Sequence, residues 1–344
     1  MFVNYPDKEM LIVEASIMIL AAGLLTILAG AKIFTNGIEW MGKKLNLSEG
    51  AVGSVLAAIG TALPETMVPL IAILFAPAGV ATEVGIGAIL GAPFMLSTLA
   101  FGVVGISKMV YCRGEGGSRC IDVKRSLLMR DLKYFILFYS LAVAAAFIPY
   151  MAFKVPLALA LVAGYGYYVY KTLGDGDTLS ELDIPPLYLW KKSEAAPLSV
   201  IIIQVAISIG LIIVGAHYFV NALTDVAASV MMPALILSII ITPIATELPE
   251  KFNSIIWVKG GKDTLAMGNI TGAMVFQGSI IPTIGILLTP WTISTLAALS
   301  AGLALLSSII IYLIVDRKKV LHAKHMIYPV AIYGVFLVLI FTML

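Results

Sequence analysis

The chain has 344 residues, of which 60% are hydrophobic and only 12% are charged, and its mean hydropathy is +1.01. A soluble domain with so little charge would aggregate, so the composition excludes a soluble globular protein and indicates an integral membrane protein. The formal net charge is +2 and there is no basic tail, so nothing points to a nucleic-acid partner.

Ten apolar runs are long enough to cross the hydrocarbon core of a bilayer as helices, which takes about 20 residues each. The predicted spans are residues 10–34, 48–75, 84–110, 132–152, 154–172, 198–222, 230–257, 265–289, 293–315 and 326–343. We therefore expect an all-α, multi-pass protein of the cell membrane, with the lipid bilayer as its surroundings.

Basic residues are concentrated in the odd-numbered loops between these spans. The opposite side, which includes both termini, carries only Lys8 and Lys154. Cytoplasmic loops are enriched in lysine and arginine, so the odd-numbered loops are predicted to be cytoplasmic and both termini extracytoplasmic.

Two stretches of the sequence match without a gap at an offset of 185 residues. The matched pairs include Gly30-Ala31 with Gly215-Ala216, Asn36 with Asn221, and Leu63-Pro64-Glu65 with Leu248-Pro249-Glu250. A match across a helix end, a loop and a second helix indicates an internal duplication.

Each half would then hold five spans, and an odd number inverts the second half relative to the first. The predicted organisation is a first repeat at 1–173, a cytoplasmic linker at 174–197 and a second repeat at 198–344. Inverted five-helix repeats are typical of transporters, which bind their substrate near the midplane where the repeats meet.

The repeated motif places Glu65 and Glu250 in the middle of predicted spans. Pro64 and Pro249 cannot donate backbone hydrogen bonds, so they free carbonyl oxygens nearby. A carboxylate buried in a membrane costs several kcal/mol unless it is paired. We expect no basic residue or histidine in the central parts of the spans to neutralise these acids, which leaves a proton or a bound cation.

The hydroxyl groups of Thr61 and Thr246 would complete an all-oxygen site with the two carboxylates and the freed carbonyls. Hard cations such as Ca²⁺ or Na⁺ prefer such ligands. The alternative is structural: the prolines only kink the helices, and the acids bond to neighbouring helices.

At these residues the sequence resembles the calcium/cation antiporter superfamily, and especially its sodium/calcium exchanger branch. The alpha-repeats of that family carry Gly-Thr-Ser-x-Pro-Glu followed by Gly-Ser-Asn-x-Phe-(Asn/Asp). The corresponding stretches here are Gly60-Thr61-Ala62-Leu63-Pro64-Glu65 with Gly91-Ala92-Pro93-Phe94-Met95-Leu96, and Ala245-Thr246-Glu247-Leu248-Pro249-Glu250 with Gly272-Ala273-Met274-Val275-Phe276-Gln277.

The resemblance implies ten spans in two inverted repeats, of which the first and sixth are long tilted helices that slide to alternate access. It also implies that Glu65 and Glu250 are the central ligands of the cation. Thr61 and Thr246 would contribute oxygens, and Gln277 stands where the family has a second-repeat Asp or Asn.

The sequence departs from the family pattern at several ligand positions. Ala62, Ala92, Ala273 and Glu247 replace serines, and Leu96 replaces an amide. Glu247 replaces the acid absent at Gln277, or carries a proton and makes H⁺ the coupling ion, or bonds a neighbouring helix and touches no ion. Fewer ligands of high charge would also suit Mg²⁺.

These observations predict a secondary antiporter that exchanges a divalent cation, foremost Ca²⁺, for Na⁺ by alternating access. Exchange against H⁺ and transport of Mg²⁺ are alternatives, and a passive cation channel is a weaker one because a channel needs repeated weak sites. The spans contain no Ser/His pair, histidine cluster or aspartate dyad, so we expect no enzyme activity, no cofactor and no protein partner.

Overall fold

The computed structural model describes residues 6–44, 62–76, 80–111, 120–174, 185–190 and 196–343. The helices of the first half are α1 (Pro6–Lys44), α2 (Leu63–Phe75), α3 (Val80–Met95), α4 (Phe101–Tyr111), α5 (Arg125–Ala145) and α6 (Met151–Gly174). Those of the second half are α7 (Leu198–Ser229), α8 (Ala234–Thr246), α9 (Leu248–Lys259), α10 (Asp263–Gln277), α11 (Ile280–Leu288), α12 (Thr295–Lys318) and α13 (Ile327–Met343).

Seven helical segments of the described residues are long and apolar enough to cross a membrane. They are Val13–Met41, Glu83–Tyr111, Met151–Thr172, Leu198–Ser229, Asp263–Leu288, Thr295–Lys318 and Ala323–Thr342, with shorter apolar helices at Leu63–Phe75 and Ala234–Ile244. Each of the seven overlaps the predicted spans, which confirms a multi-pass helical membrane protein. The count of ten spans stays a prediction.

The helix expected at 132–152 lies further towards the N-terminus than the sequence indicated. It is α5, Arg125–Ala145. Charged residues near its start suggested a loop, but Asp131 is 2% exposed and is bonded within the protein, so its charge does not prevent helix formation. Pro149 lies just after α5, and the residue before a proline disfavours helical geometry, so the chain turns at 146–150.

The described residues divide into two compact units. The first comprises Met1–Gly85 and Tyr167–Ser238, and the second comprises Ile86–Gly166 and Ile239–Leu344.

The first unit is built on α1 and α7, two long helices that run antiparallel along each other. Three glycines of α1, at steps of seven residues, face α7. A Cβ atom at Gly30 would lie 2.8 Å from the Ile212 side chain, and one at Gly23 would lie 2.9 Å from the Phe219 backbone nitrogen. Only glycine permits so close an approach, and small residues at helix contacts are typical of membrane proteins.

Polar bonds fasten a short loop to one end of this helix pair. The Asn36 amide donates to the Pro185 carbonyl at 3.1 Å. The Asn36 side-chain oxygen accepts hydrogen bonds from the Gln204 amide at 3.0 Å and from the Tyr188 backbone N–H at 3.3 Å. Both side chains are buried, so these bonds satisfy polar groups within an apolar helix pair.

The second unit has an aromatic core. Phe94 stacks on Tyr333 with ring centroids 5.4 Å apart, and Phe336 meets it edge-on at 4.6 Å. Trp291 is fully buried and donates from its indole N–H to the Ala142 carbonyl at 2.9 Å. Such buried aromatic residues hold the helices of this unit in fixed positions.

One helix of the second unit contains a π-helical turn, Leu96–Ala100, between α3 and α4. Pro93 lies one turn before it and lacks a donor for the α-helical ladder. Thr98 and Ser97 donate from their hydroxyls to the Phe94 carbonyl. Such bonds from serine and threonine hydroxyls to the preceding turn are common in helices and often bend them.

A short antiparallel sheet lies at one end of the second unit. Its strands are β1 (Cys120–Ile121) and β2 (Leu321–His322), and a 3₁₀ turn, Ala323–Met326, follows β2. Nearby, the buried Lys108 ammonium donates to the Asp263 carboxylate, which also accepts the Asp122 N–H at 2.8 Å. This ion pair joins α4 to the first turn of α10.

Candidate functional site

The first Leu-Pro-Glu sequence begins a helix. Helix α2 starts at Leu63, with Pro64 and Glu65 in its first turn. Proline is well tolerated there, because the first N–H groups of a helix have no partner within it. Glu65 is 4% exposed, so the structure buries the carboxyl that the sequence singled out. Thr61 and Gly60 lie outside the described residues.

The second Leu-Pro-Glu sequence also begins a helix. Helix α8 ends at Thr246, Glu247 forms a turn, and α9 starts at Leu248 with Pro249 in its first turn. The predicted interruption of this helix is therefore confirmed, and it is one residue long. The Glu250 backbone lies in the first turn of α9, whereas its side chain lies outside the described part of the structure.

Helix starts of this kind favour negative charge. The aligned peptide dipoles place partial positive charge at a helix N-terminus, which stabilises a nearby carboxylate by about 0.3–1 kcal/mol. The first turns of α2 and α9 are therefore electrostatically favourable positions for an acidic residue.

Glu247 occupies the junction between α8 and α9. Its side chain is fully buried, and its backbone adopts φ −91° and ψ 9°, a sparsely populated region in which many functional residues are found. Its N–H donates to the Pro243 carbonyl at 3.1 Å, and its own carbonyl accepts from the Lys251 N–H at 3.2 Å. The junction thus keeps helical hydrogen bonds on both sides of Glu247.

Lys251 supplies a positive charge that the sequence analysis did not take into account. Its Nζ lies 3.3 Å from the Glu247 Oε2 and 3.4 Å from the Pro243 carbonyl oxygen. The expectation that no basic residue lies in the central parts of the spans is wrong, because Lys251 falls within the predicted span 230–257. The available signal was its spacing, four residues after Glu247.

Thr246 lies on the other side of the junction and is 1% exposed. Its hydroxyl donates to the Thr242 carbonyl at 3.1 Å. Because the hydrogen atom is engaged in that bond, the oxygen lone pairs stay available as acceptors or cation ligands.

Gln277 marks a second interruption. It is the last residue of α10, is 2% exposed, and precedes the turn at Gly278 and Ser279 before α11. Its side-chain Oε1 is buried and has no hydrogen-bond partner among the described residues. A buried acceptor without a partner costs about 1–3 kcal/mol, and an amide oxygen in such a position is able to bind a cation.

Asp131 is a further buried acid that the sequence analysis placed outside the spans. Its carboxylate accepts the Thr271 hydroxyl at 2.8 Å and the Arg130 Nε at 3.3 Å. These bonds link α5 to α10, the helix that ends at Gln277, so a structural role accounts for the acid.

The described residues contain no cluster of three or more histidine, cysteine, aspartate or glutamate side chains that could hold a metal ion. The structure describes the six predicted site residues to different extents. Glu65, Thr246, Glu247 and Gln277 are buried, Glu250 is described in its backbone alone, and Thr61 is outside the described ranges.

Comparison with known sequences gives two relatives over most of the chain. The putative antiporter CaxA of Alkalimonas amylolytica is 24% identical over 292 residues, which cover 83% of this chain and 84% of CaxA. The inner membrane protein YrbG of Escherichia coli (strain K12) is 24% identical over 303 residues, which cover 88% of this chain and 89% of YrbG.

Two solved structures share the fold. The crystal structure of the H⁺/Ca²⁺ exchanger CAX matches with a TM-score of 0.74 at 14% identity. The match covers 95% of this chain and 82% of the CAX chain. The sodium-calcium exchanger NCX_Mj, soaked with Na⁺ and Sr²⁺, has a TM-score of 0.59 at 18% identity and covers 95% and 98% respectively. At these identities the likeness shows the fold.

The family model described as "Sodium/calcium exchanger protein" matches residues 15–174 and 200–342, which together make up most of the chain. The match includes both Leu-Pro-Glu helix starts and the interruption at Gln277. The chain therefore belongs to the sodium/calcium exchanger family of membrane cation antiporters.

Proposed function

We propose that this protein is a secondary active antiporter that exchanges Ca²⁺ for Na⁺ across the membrane by alternating access. The observation that carries the proposal is the pair of Leu-Pro-Glu helix starts, at Leu63 and at Leu248, each with its acid in the first turn. Glu65 is buried in a strongly apolar helix, where a carboxylate without a specific role would be costly.

In this proposal Glu65 and Glu250 are the principal ligands of the divalent cation. Carboxylate, hydroxyl and carbonyl oxygens are the ligands that Ca²⁺ prefers. Thr246 supports the assignment, because its hydroxyl proton is engaged and its oxygen lone pairs are available. Thr61 has the corresponding role in the first half, and Gln277 adds an amide oxygen.

We further propose ten membrane spans in two inverted repeats, 1–173 and 198–344, joined by a cytoplasmic linker and with both termini outside. The separate family matches to 15–174 and 200–342 support a chain made of two halves. The close packing of α1 against α7 at their glycines supports a helix pair that moves as one body. Transport by such a protein involves ion binding and release and no covalent chemistry.

Coupling to H⁺ and transport of Mg²⁺ are the alternatives that the experiment must separate. Four side-chain oxygens of the family pattern are missing here, because alanine or leucine stands in their place at Ala62, Ala92, Ala273 and Leu96. Several Na⁺ ions would need those oxygens as ligands. Mg²⁺ keeps part of its own water and requires fewer protein ligands. The description of the matched family model supports Na⁺ and Ca²⁺ as the first pair to test.

The test is ⁴⁵Ca²⁺ uptake into proteoliposomes under an outward Na⁺ gradient, with a pH gradient in a parallel arm. We expect Na⁺-driven uptake by the natural protein. Glu65→Gln and Glu250→Gln should each reduce it at least 100-fold, since each substitution removes a charged ligand.

Glu83→Gln is the matched control. Glu83 also lies in the first turn of an apolar helix, α3, but its side chain is exposed. We expect its uptake to equal that of the natural protein. Uptake driven by the pH gradient alone would replace Na⁺ by H⁺ in the proposal, and normal uptake by folded E65Q or E250Q would overturn the ligand assignment.

A further inference from the structure

We propose that Asn269, together with Gln277, lines a hydrated route along one side of α10 by which the transported cation reaches its binding site. Neither the repeated motif nor the family pattern identifies Asn269. The inference rests on the proposed function, because it takes a transported cation as the occupant of the route.

Two amide side chains of α10 lack the hydrogen bonds that burial ordinarily requires. The Asn269 Nδ2 and the Gln277 Oε1 are both buried, and neither has a hydrogen-bond partner among the described residues. The large majority of buried polar side-chain atoms in proteins are hydrogen-bonded, so two exceptions on one helix need an explanation. Neither atom ties α10 to another helix, so a structural bond does not supply it.

The two amides lie on the same side of α10. Asn269 and Gln277 are eight residues apart in the chain, which corresponds to about two helical turns and about 12 Å along the axis. Ala273 lies midway, four residues from each, and residues at this spacing share a helix face. Asn269, Ala273 and Gln277 thus form an amide row in which a small side chain separates two polar ones.

The opposite side of α10 packs against α5. The Thr271 hydroxyl donates to the Asp131 carboxylate on α5, and a Cβ atom at Gly268 would lie 3.5 Å from the Leu127 side chain. Val275, four residues after Thr271, continues this side and is fully buried. The amide row therefore points away from the helix that holds α10 in place.

The amide row begins near one end of the second unit. Helix α10 starts at Asp263, whose carboxylate is bonded to the Lys108 ammonium and to the Asp122 N–H. Asn269 lies about 9 Å along the axis from this start, and Gln277 lies about 21 Å from it. The proposed topology puts the start of α10 on the cytoplasmic side, so a cation from the cytoplasm meets Asn269 before Gln277.

Neutral amides suit a route because they bind weakly. An amide contacts a cation or its water through the oxygen, and it donates to water through the N–H groups. It carries no charge that would hold the ion, and passage requires sites that are weak enough for the ion to leave. Water in the route also gives the two buried amide atoms the partners that they lack within the protein.

The first test removes the amide and measures transport. In Asn269→Leu the initial rate of ⁴⁵Ca²⁺ uptake into proteoliposomes should fall about tenfold, because the hydrated ion loses a hydrogen-bonding partner on its way. Equilibrium binding of ⁴⁵Ca²⁺ in detergent should stay unchanged, because the route is not the binding site. Asn269→Gln keeps an amide and should retain most of the uptake rate.

Thermal unfolding separates this role from a structural one. N269L should have a Tm equal to or above that of the natural protein, because the Asn269 Nδ2 makes no hydrogen bond within the part of the chain that the structure describes. Asn36→Leu is the matched control. Asn36 bonds to Pro185, Gln204 and Tyr188, so the same substitution there should lower Tm.

A further readout, access of water to the amide row, does not depend on transport. The natural cysteines are first replaced, as Cys112→Ser and Cys120→Ser. Ala273→Cys should then react with a charged, water-soluble methanethiosulfonate reagent, and saturating Ca²⁺ should slow the reaction several-fold. Val275→Cys, on the side of α10 that faces α5, is the matched control and should not react in the folded protein.

The two proposals fail in different ways. Absence of Ca²⁺ uptake by the natural protein in every gradient would refute the proposed function, and the reactivity of A273C would still decide whether the amide row is hydrated. An A273C thiol as unreactive as that of V275C would overturn the inference about Asn269 alone. So would a normal uptake rate of N269L, or a loss of Tm in N269L as large as that in N36L.

Discussion

Gly23→Ala tests the close contact between α1 and α7. A Cβ atom at residue 23 would lie 2.9 Å from the Phe219 nitrogen and 3.0 Å from the Gly215 oxygen, whereas ordinary contact begins at 3.4 Å. Both neighbours are backbone atoms, so no side chain can rotate away. The two helices would have to separate by about 0.5 Å, which is the difference between 3.4 and 2.9 Å.

The cost of such overpacking is about 1–3 kcal/mol. Alanine also stabilises a helix by about 1 kcal/mol relative to glycine, so a matched control is needed. Gly210→Ala, in the middle of α7, provides it, because a Cβ atom there meets no atom within 4 Å. G23A should therefore be less stable than G210A by about 1–3 kcal/mol.

The assay is reversible unfolding in mixed detergent micelles, followed by circular dichroism and tryptophan fluorescence. Each variant is compared with the natural protein at the same detergent composition. A difference between G23A and G210A below about 0.5 kcal/mol, which is the range of neutral surface substitutions, would refute the close contact.

Two further predictions concern the second unit. Gly261→Ala should destabilise the turn after α9 by about 1–2 kcal/mol, because Gly261 has φ +73°. Gly260→Ala should cost less, since the φ of Gly260 is −81°. Thermal unfolding compares the two variants, and equal midpoints would contradict the strain argument. Asp263→Asn should lower the free energy of unfolding by about 3–5 kcal/mol, because it removes the carboxylate that faces the buried Lys108 ammonium. The double variant D263N/K108M should recover much of the loss. An unchanged stability of D263N would show that the pair contributes nothing.

Local chemistry explains why part of the site could be predicted from the sequence. Proline lacks a backbone donor wherever it lies, so Pro64 and Pro249 predicted an interruption, and the structure begins helices at Leu63 and Leu248. The ends of α5 were harder to predict. Charged residues in its first two turns suggested a loop, but partners distant in sequence, such as Thr271 for Asp131, bond to them.

The surroundings of Glu247 include an ion pair with Lys251 that the sequence predictions left out. Three readings of this acid were open: replacement of the missing acid, a proton carrier, or a bond to a neighbouring helix. Lys251 was visible in the sequence, but an ammonium on a flexible side chain has many rotamers. The two residues are four positions apart, a spacing that brings side chains together on a helix, and the structure places the Lys251 Nζ 3.3 Å from the Glu247 Oε2.

The sequence by itself determined the membrane class, and it predicted an internal duplication and interruptions at the two Leu-Pro-Glu motifs. Hydropathy, repetition and the chemistry of proline are properties of the chain that require no partner. Only the tertiary structure decided which buried charges neutralise one another, and which glycines of α1 face α7, because both depend on distances between separate helices or half-helices. The Lys108–Asp263 ion pair is the main example, since its two residues lie 155 positions apart in the chain.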